Sequence, residues 1–192
     1  LLDHILDSGE DSKGANDFVK LALANTDQRI QSGKSVSAGF LFATLLWPDL
    51  LNNWKKNIAK GISNIPALHD AMDETIASQS SGMVIQRRFE SDMREIWSMQ
   101  PRFEKRVGRY PYRLIESPRF RAGYDFMLLR CATGEKNPAL GQWWTDFIAT
   151  DPAGQEALMA SVKNEIGNSA TPAKRRRRRK AKVATPSEGA TD

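Results

Sequence analysis

Residues 117–131 read SPRFRAGYDFMLLRC. Phe120, Tyr124, Met127, Leu128 and Cys131 fall three and four positions apart, the spacing that draws one apolar stripe along a helix. Ser117-Pro118 in front of them is a start signal: a side chain able to cap, then proline, whose missing N–H costs nothing at the first helical position. The same signal recurs at Asn137-Pro138, ahead of Leu140, Trp143, Trp144 and Phe147, and at Asp151-Pro152. No segment shows sustained period-two alternation, so strands have no support and the chain reads as all-α.

Working outward, Phe18, Leu21, Ala22 and Ile30 indicate a helix over roughly 15–31. Val36 to Trp47 is apolar nearly all round, as in a buried central helix, and Pro48 ends or kinks it. Leu50, Leu51, Trp54 and Ile58 mark a helix over about 49–60. Pro66 opens another, with Leu68, Met72 and Ile76 on one face. Ile85, Phe89, Met93, Ile96 and Trp97 mark a further one, stopped by Pro101. The expectation is an irregular helical body of about seven or eight helices over residues 11–166. Residues 1–10 are then the end of a preceding helix. From Gly167 onward Ser, Thr, Ala, Pro and a charge block replace periodicity, so 167–192 reads as a disordered basic tail.

Among the 192 residues, 40% are apolar and 27% charged, which is ordinary for a soluble globular chain. The single cysteine, Cys131, cannot form an internal disulfide. No apolar run reaches the ~18 residues that a membrane-spanning helix needs. The chain opens on Leu1-Leu2-Asp3-His4, without Met or a signal-peptide layout, and reads as a piece of something longer.

The net charge of +5 is unevenly spread. Residues 168–192 hold eight basic and two acidic residues, or +6, which leaves −1 for residues 1–167. Inside that near-neutral body, residues 102–121 hold seven basic residues against Glu104 and Glu116. Arg102, Lys105, Arg106, Arg109, Arg113, Arg119 and Arg121 alternate there with Phe103, Tyr110, Tyr112 and Phe120. Guanidinium forks suit phosphate oxygens, and exposed rings stack on unpaired bases. Arg102, Lys105, Arg106, Arg109, Tyr110, Tyr112, Arg113, Arg119 and Arg121 are therefore the candidate nucleic-acid contacts in the body. Lys174, Arg175, Arg176, Arg177, Arg178, Arg179 and Lys180 are the candidates in the tail. Arg87, Arg88 and Arg94 are set aside, because Asp92 and Glu90 lie four residues from Arg88 and Arg94, where helix side chains meet. That helix reads as self-paired.

Signals for catalysis are weak. Ser32-Gly33-Lys34-Ser35 looks like a phosphate-binding loop, but Gln28 stands where the partner glycine belongs and a helix precedes it instead of a strand. His4, His69 and Cys131 lack ligand spacing. Asp70, Asp73 and Glu74 read as a solvated helix face. No Asp-x-Asp pair is present to hold two magnesium ions.

A family resemblance rests on several stretches. They are Arg87-Arg88-Phe89, Met93-Arg94-Glu95-Ile96-Trp97, Gln100-Pro101-Arg102-Phe103-Glu104 and Pro118 to Phe126. Leu128-Leu129-Arg130, Gly134-Glu135 and Trp143-Trp144 with Phe147 continue the pattern. Upstream, Asn25-Thr26-Asp27, Arg29-Ile30, Phe40-Leu41-Phe42-Ala43 and Trp47 fit as well. Together they resemble the C-terminal region of bacterial poly(A) polymerase. Two positions depart from the pattern: Arg109-Tyr110 stands where two basic residues are expected, and Ser117 where histidine is common. The resemblance implies an RNA-binding body and tail that hold single-stranded RNA 3′ ends. It also implies an N-terminal nucleotidyltransferase head of the same polypeptide, which would use ATP and magnesium to add AMP. No cofactor is expected in this chain itself, and by itself it is expected to be inactive. The alternatives are the body of a CCA-adding tRNA nucleotidyltransferase relative, or a free-standing helical interaction module with a basic nucleic-acid-binding tail.

Overall fold

In the computed structural model the described residues are 10–79 and 85–169. The expected neck segment before residue 10 and the arginine block from Lys174 lie outside them. Among the described residues there are nine α-helices and no strand. They are α1 (Glu10–Gln31), α2 (Ala38–Leu45), α3 (Trp47–Ala59), α4 (Asn64–Gln79), α5 (Arg87–Met99), α6 (Tyr110–Ile115), α7 (Phe120–Ala132), α8 (Pro138–Ala149) and α9 (Pro152–Ser169). A single 3-10 turn, Gln100–Arg102, follows α5.

Two of the three proline start signals act as expected. Asn137 accepts from the Ala139 N–H at 2.9 Å, and Asp151 accepts from the Gly154 N–H at 2.9 Å, so each caps a helix that begins on the following proline. Ser117 does not cap. Its hydroxyl turns back to the Arg113 carbonyl at 3.3 Å, closing α6, and α7 begins only at Phe120. The serine is spent on the helix that precedes it. Helix α6, six residues long, is the element the apolar pattern did not reveal. Helix α9 is the last described element and ends at Ser169.

The phosphate-loop look-alike is a helix end. Lys34 N–H donates to the Arg29 carbonyl and Gly33 N–H to the Ile30 carbonyl, both at 2.9 Å, with Gly33 at φ 68°. This paired closure needs a left-handed residue, which glycine supplies without strain.

The helices enclose two hydrophobic cores with a shared wall. Phe18, Leu50, Leu68, Trp47 and Trp97 build the first, between α1 and α5. Phe103, Leu114, Trp143, Trp144 and Phe147 build the second, under α6, α8 and α9. Helix α7 serves both: Phe126 and Leu129 face the first core, and Tyr124, Met127 and Cys131 the second. A helix packed on two sides carries apolar residues toward both, which is why α7 reads so plainly in the sequence. Trp47, Trp97 and Trp144 are fully buried. Each removes about 150–250 Å² from water, roughly 4–6 kcal/mol of transfer free energy as an upper estimate.

Helix α2 crosses α5 at close range. A Cβ placed on Gly39 would stand 2.5 Å from Asp92 Cβ, so only glycine lets the two backbones approach this far. Ile30 and Ile58, which helped mark their helices in the sequence, are exposed.

Candidate nucleic-acid interface

The segment 102–113 joins α5 to α7 across the outside of the second core. Its apolar members point inward. Phe103 is completely buried, with its carbonyl taken by the Trp144 indole N–H at 3.0 Å. Tyr112 packs its ring on Phe147, centroids 5.6 Å apart. These anchors force the intervening cations outward. Arg102, Lys105, Arg109 and Arg113 are exposed, and among the described residues none has an acidic partner.

Tyr110 is the one ring of this segment left in solvent, 56% exposed. The Lys105 ammonium lies 5.0 Å from its centroid. A cation held beside an open aromatic face offers phosphate contact and base stacking within one residue's reach. Arg106 is half-buried over the Trp143 ring at 5.7 Å, and its Nε is shielded from solvent without a hydrogen-bond partner.

The two arginines at the start of α7 stand differently. Arg119 bonds Asp92 at 2.5 Å and reaches Glu95 at 3.9 Å, clamping α7 to α5. Arg121 pairs with Asp125 one turn along. Both remain partly exposed, so their unused N–H donors still face solvent. The structure thus brings together Arg102, Lys105, Arg109, Tyr110 and Arg113 as unpaired groups. It commits Arg119, Arg121, Arg106 and Tyr112 in part to the fold.

Helix α5 is not self-paired as its i, i+4 spacing suggested. Asp92 serves Arg119, Arg94 reaches Asp73 of α4 at 2.7 Å, and Arg88 lies over the Phe89 ring at 4.6 Å. For Asp92 and Arg94, contacts between helices took precedence over the i, i+4 contacts along one.

Sequence reasoning missed a buried polar network between the two cores. Arg130, 2% exposed, donates from Nε and Nη2 to Glu135 Oε1 at 3.0 and 2.8 Å, and from Nη1 to Gln100 Oε1 at 3.1 Å. Glu135 Oε2 accepts the Trp47 indole N–H at 2.7 Å, and the guanidinium lies 4.6 Å from the Trp47 ring. The signal for it was an arginine embedded in the apolar run Met127-Leu128-Leu129-Arg130-Cys131, since a charge almost never enters a core unpaired. A cleft of about 690 Å³ also went unseen; it opens between α1, the loop before α2, and the start of α7.

Burial pushes the Cys131 thiol above its ordinary pKa, with the Gly141 backbone and Arg130 opposing. A thiol held protonated and covered is a packing group. Among the described residues no cluster of His, Cys, Asp or Glu could hold a metal ion, and no helix is long and apolar enough to cross a membrane.

An all-helical body with two cores, presenting unpaired cations around an open tyrosine, defines a class of basic helical modules. The chain belongs to the family described as the polymerase A arginine-rich C-terminus, whose model matches residues 60–182. It is the C-terminal region of a bacterial poly(A) polymerase relative. Poly(A) polymerase I of Salmonella typhi is 34% identical over 176 residues, covering 90% of this chain and 37% of the relative. The Escherichia coli O6:H1 protein is 33% identical with the same coverage. The Haemophilus influenzae protein is 30% identical over 149 residues, 76% of this chain and 32% of its own length. The chain thus spans about a third of the length of the relatives it matches.

Proposed function

We propose that this chain is the RNA-binding body and tail of a cytoplasmic polynucleotide adenylyltransferase. Such an enzyme adds AMP from ATP to single-stranded RNA 3′ ends, marking messages for decay. The observation that carries the reading is the outward, unpaired set Arg102, Lys105, Arg109 and Arg113 around Tyr110, on a chain of this family. Its role is to hold the strand while chemistry proceeds elsewhere. ATP and magnesium would belong to a nucleotidyltransferase head of the same polypeptide.

Four cations on one short segment act on phosphates by charge and geometry, without reading sequence. Tyr110 adds stacking, which every base accepts. Fluorescence anisotropy with a labelled single-stranded oligonucleotide tests the assignment. Charge reversal of Arg102, Lys105, Arg109 and Arg113 should lower affinity far more than reversal of Arg87 and Arg88, with circular dichroism confirming both folds. Equal losses would remove the segment from the interface. The chain alone should extend no primer in the presence of ATP and magnesium, and extension above background would overturn the division of labour.

A further inference from the structure

We propose that the cleft between α1 and α7 receives an unpaired nucleobase of the bound strand. The proposal rests on the RNA-binding reading and adds a site to it. At about 690 Å³ the cleft falls within the range of small-molecule pockets, and one base leaves room for its sugar. Its floor is apolar, formed by Leu21, Phe40, Leu128 and Leu129. Phe40 is half-buried and set edge-on to Phe126 at 6.1 Å. It offers the cleft part of an aromatic surface, the platform on which any base stacks.

The polar side of the cleft separates into used and unused groups. The Thr26 hydroxyl donates to the Ala22 carbonyl at 2.8 Å, and the Ser37 hydroxyl accepts from the Phe40 N–H. Asn25 and Gln28 line the same wall three residues apart on α1, hence on one helix flank. Both are exposed, and neither side-chain amide has a hydrogen-bond partner among the described residues. An amide presents a donor beside an acceptor, the pairing through which Asn and Gln hold a base edge.

The rim supplies the phosphate contacts. Arg29, Arg119 and Arg121 stand around the mouth with Asp125 as the acid among the lining residues. Asp125 engages Arg121 through Nε, which leaves both terminal amino groups free. Arg29 spends Nη2 on the Ser35 carbonyl at 3.3 Å and keeps its other donors. The acceptors therefore fix the guanidinium planes without exhausting them, and the remaining forks match phosphate oxygens. An acidic peptide would use the rim but leave the apolar floor and the two amides idle.

The test uses the whole chain and a single-stranded oligonucleotide carrying one photoreactive base. Asn25→Ala with Gln28→Ala should weaken binding at least about fivefold, the low end for a bidentate base contact. The salt slope should stay at the wild-type value, because the amides neutralise no phosphate. Ala132→Phe, at an exposed lining position, should plug the cleft and weaken binding likewise. Cross-links should map to residues 21–40 and 118–132. The proposal is overturned if both variants bind as wild type, if cross-links avoid these segments, or if an acidic peptide alone occupies the cleft. Failure of the wild-type chain to bind RNA would instead remove the RNA-binding reading, and this site with it.

Discussion

Arg130 illustrates how one residue can join two cores. Its guanidinium satisfies Glu135 and Gln100 at once, while Glu135 ties in Trp47 from the opposite side. Taking this charge out of water is tolerated because three of its donors are met and the Glu135 carboxylate balances the charge. Arg130→Ala would strand the Glu135 carboxylate and leave the Gln100 carbonyl unmet, at a cost of about 3–5 kcal/mol. Urea denaturation should show the midpoint falling with the slope unchanged; a loss under about 1 kcal/mol would mean that water substitutes for the guanidinium. Next to it, Cys131 is covered and its pKa is raised by burial. A thiol whose folded pKa lies above its unfolded one stabilises the fold below the unfolded value, and that contribution is lost as pH rises toward the folded one. Ellman's reagent should accordingly react slowly with the native chain at pH 8 and rapidly in urea. Fast native labelling would show that α7 opens readily.

Between elements, the crossing of α2 over α5 is set by Gly39 against Asp92. Gly39→Leu pushes a side chain into Asp92 and so disturbs the Asp92–Arg119 clamp beyond it. The expected destabilisation is about 1–3 kcal/mol from overpacking, measured by thermal melting; an unchanged melting temperature would show that the helices slide apart freely. These pairings explain what the sequence could and could not disclose. The helices around Trp97, Phe126 and Trp144 were legible because burial imposes their period. Helix α6 was too short to show one. Ser117 was misread because a serine before proline can close the preceding helix as well as cap the next. The i, i+4 pairing expected along α5 lost to partners on α4 and α7, which no spacing within α5 reveals. The candidate contacts of 102–113 were legible as composition. Which of them are spent on the fold was not, since that depends on Phe147 and Trp143 brought in from elsewhere.

Across the whole molecule, α5 and α7 contribute to both cores, and the Arg130 network spans them. The body should consequently unfold as one unit, with tryptophan fluorescence and circular dichroism giving coincident transitions; two separated transitions would show that the cores are independent. That body carries almost no net charge, whereas Lys174 to Lys182 holds eight cations in nine residues. In the proposed RNA-binding role, attraction of a strand from a distance would fall mainly to this block, and local contact to the 102–113 segment. For single strands the slope of log affinity against log salt is about −0.7 per phosphate neutralised, so a tail engaging roughly four phosphates contributes about −3. Ending the chain after Ser169 keeps α9 whole and removes the block. Affinity for single-stranded RNA should fall, the salt slope should become shallower by about that amount, and helix content should hardly change. Unaltered affinity with an unaltered slope would show that the arginine block plays no part in holding RNA.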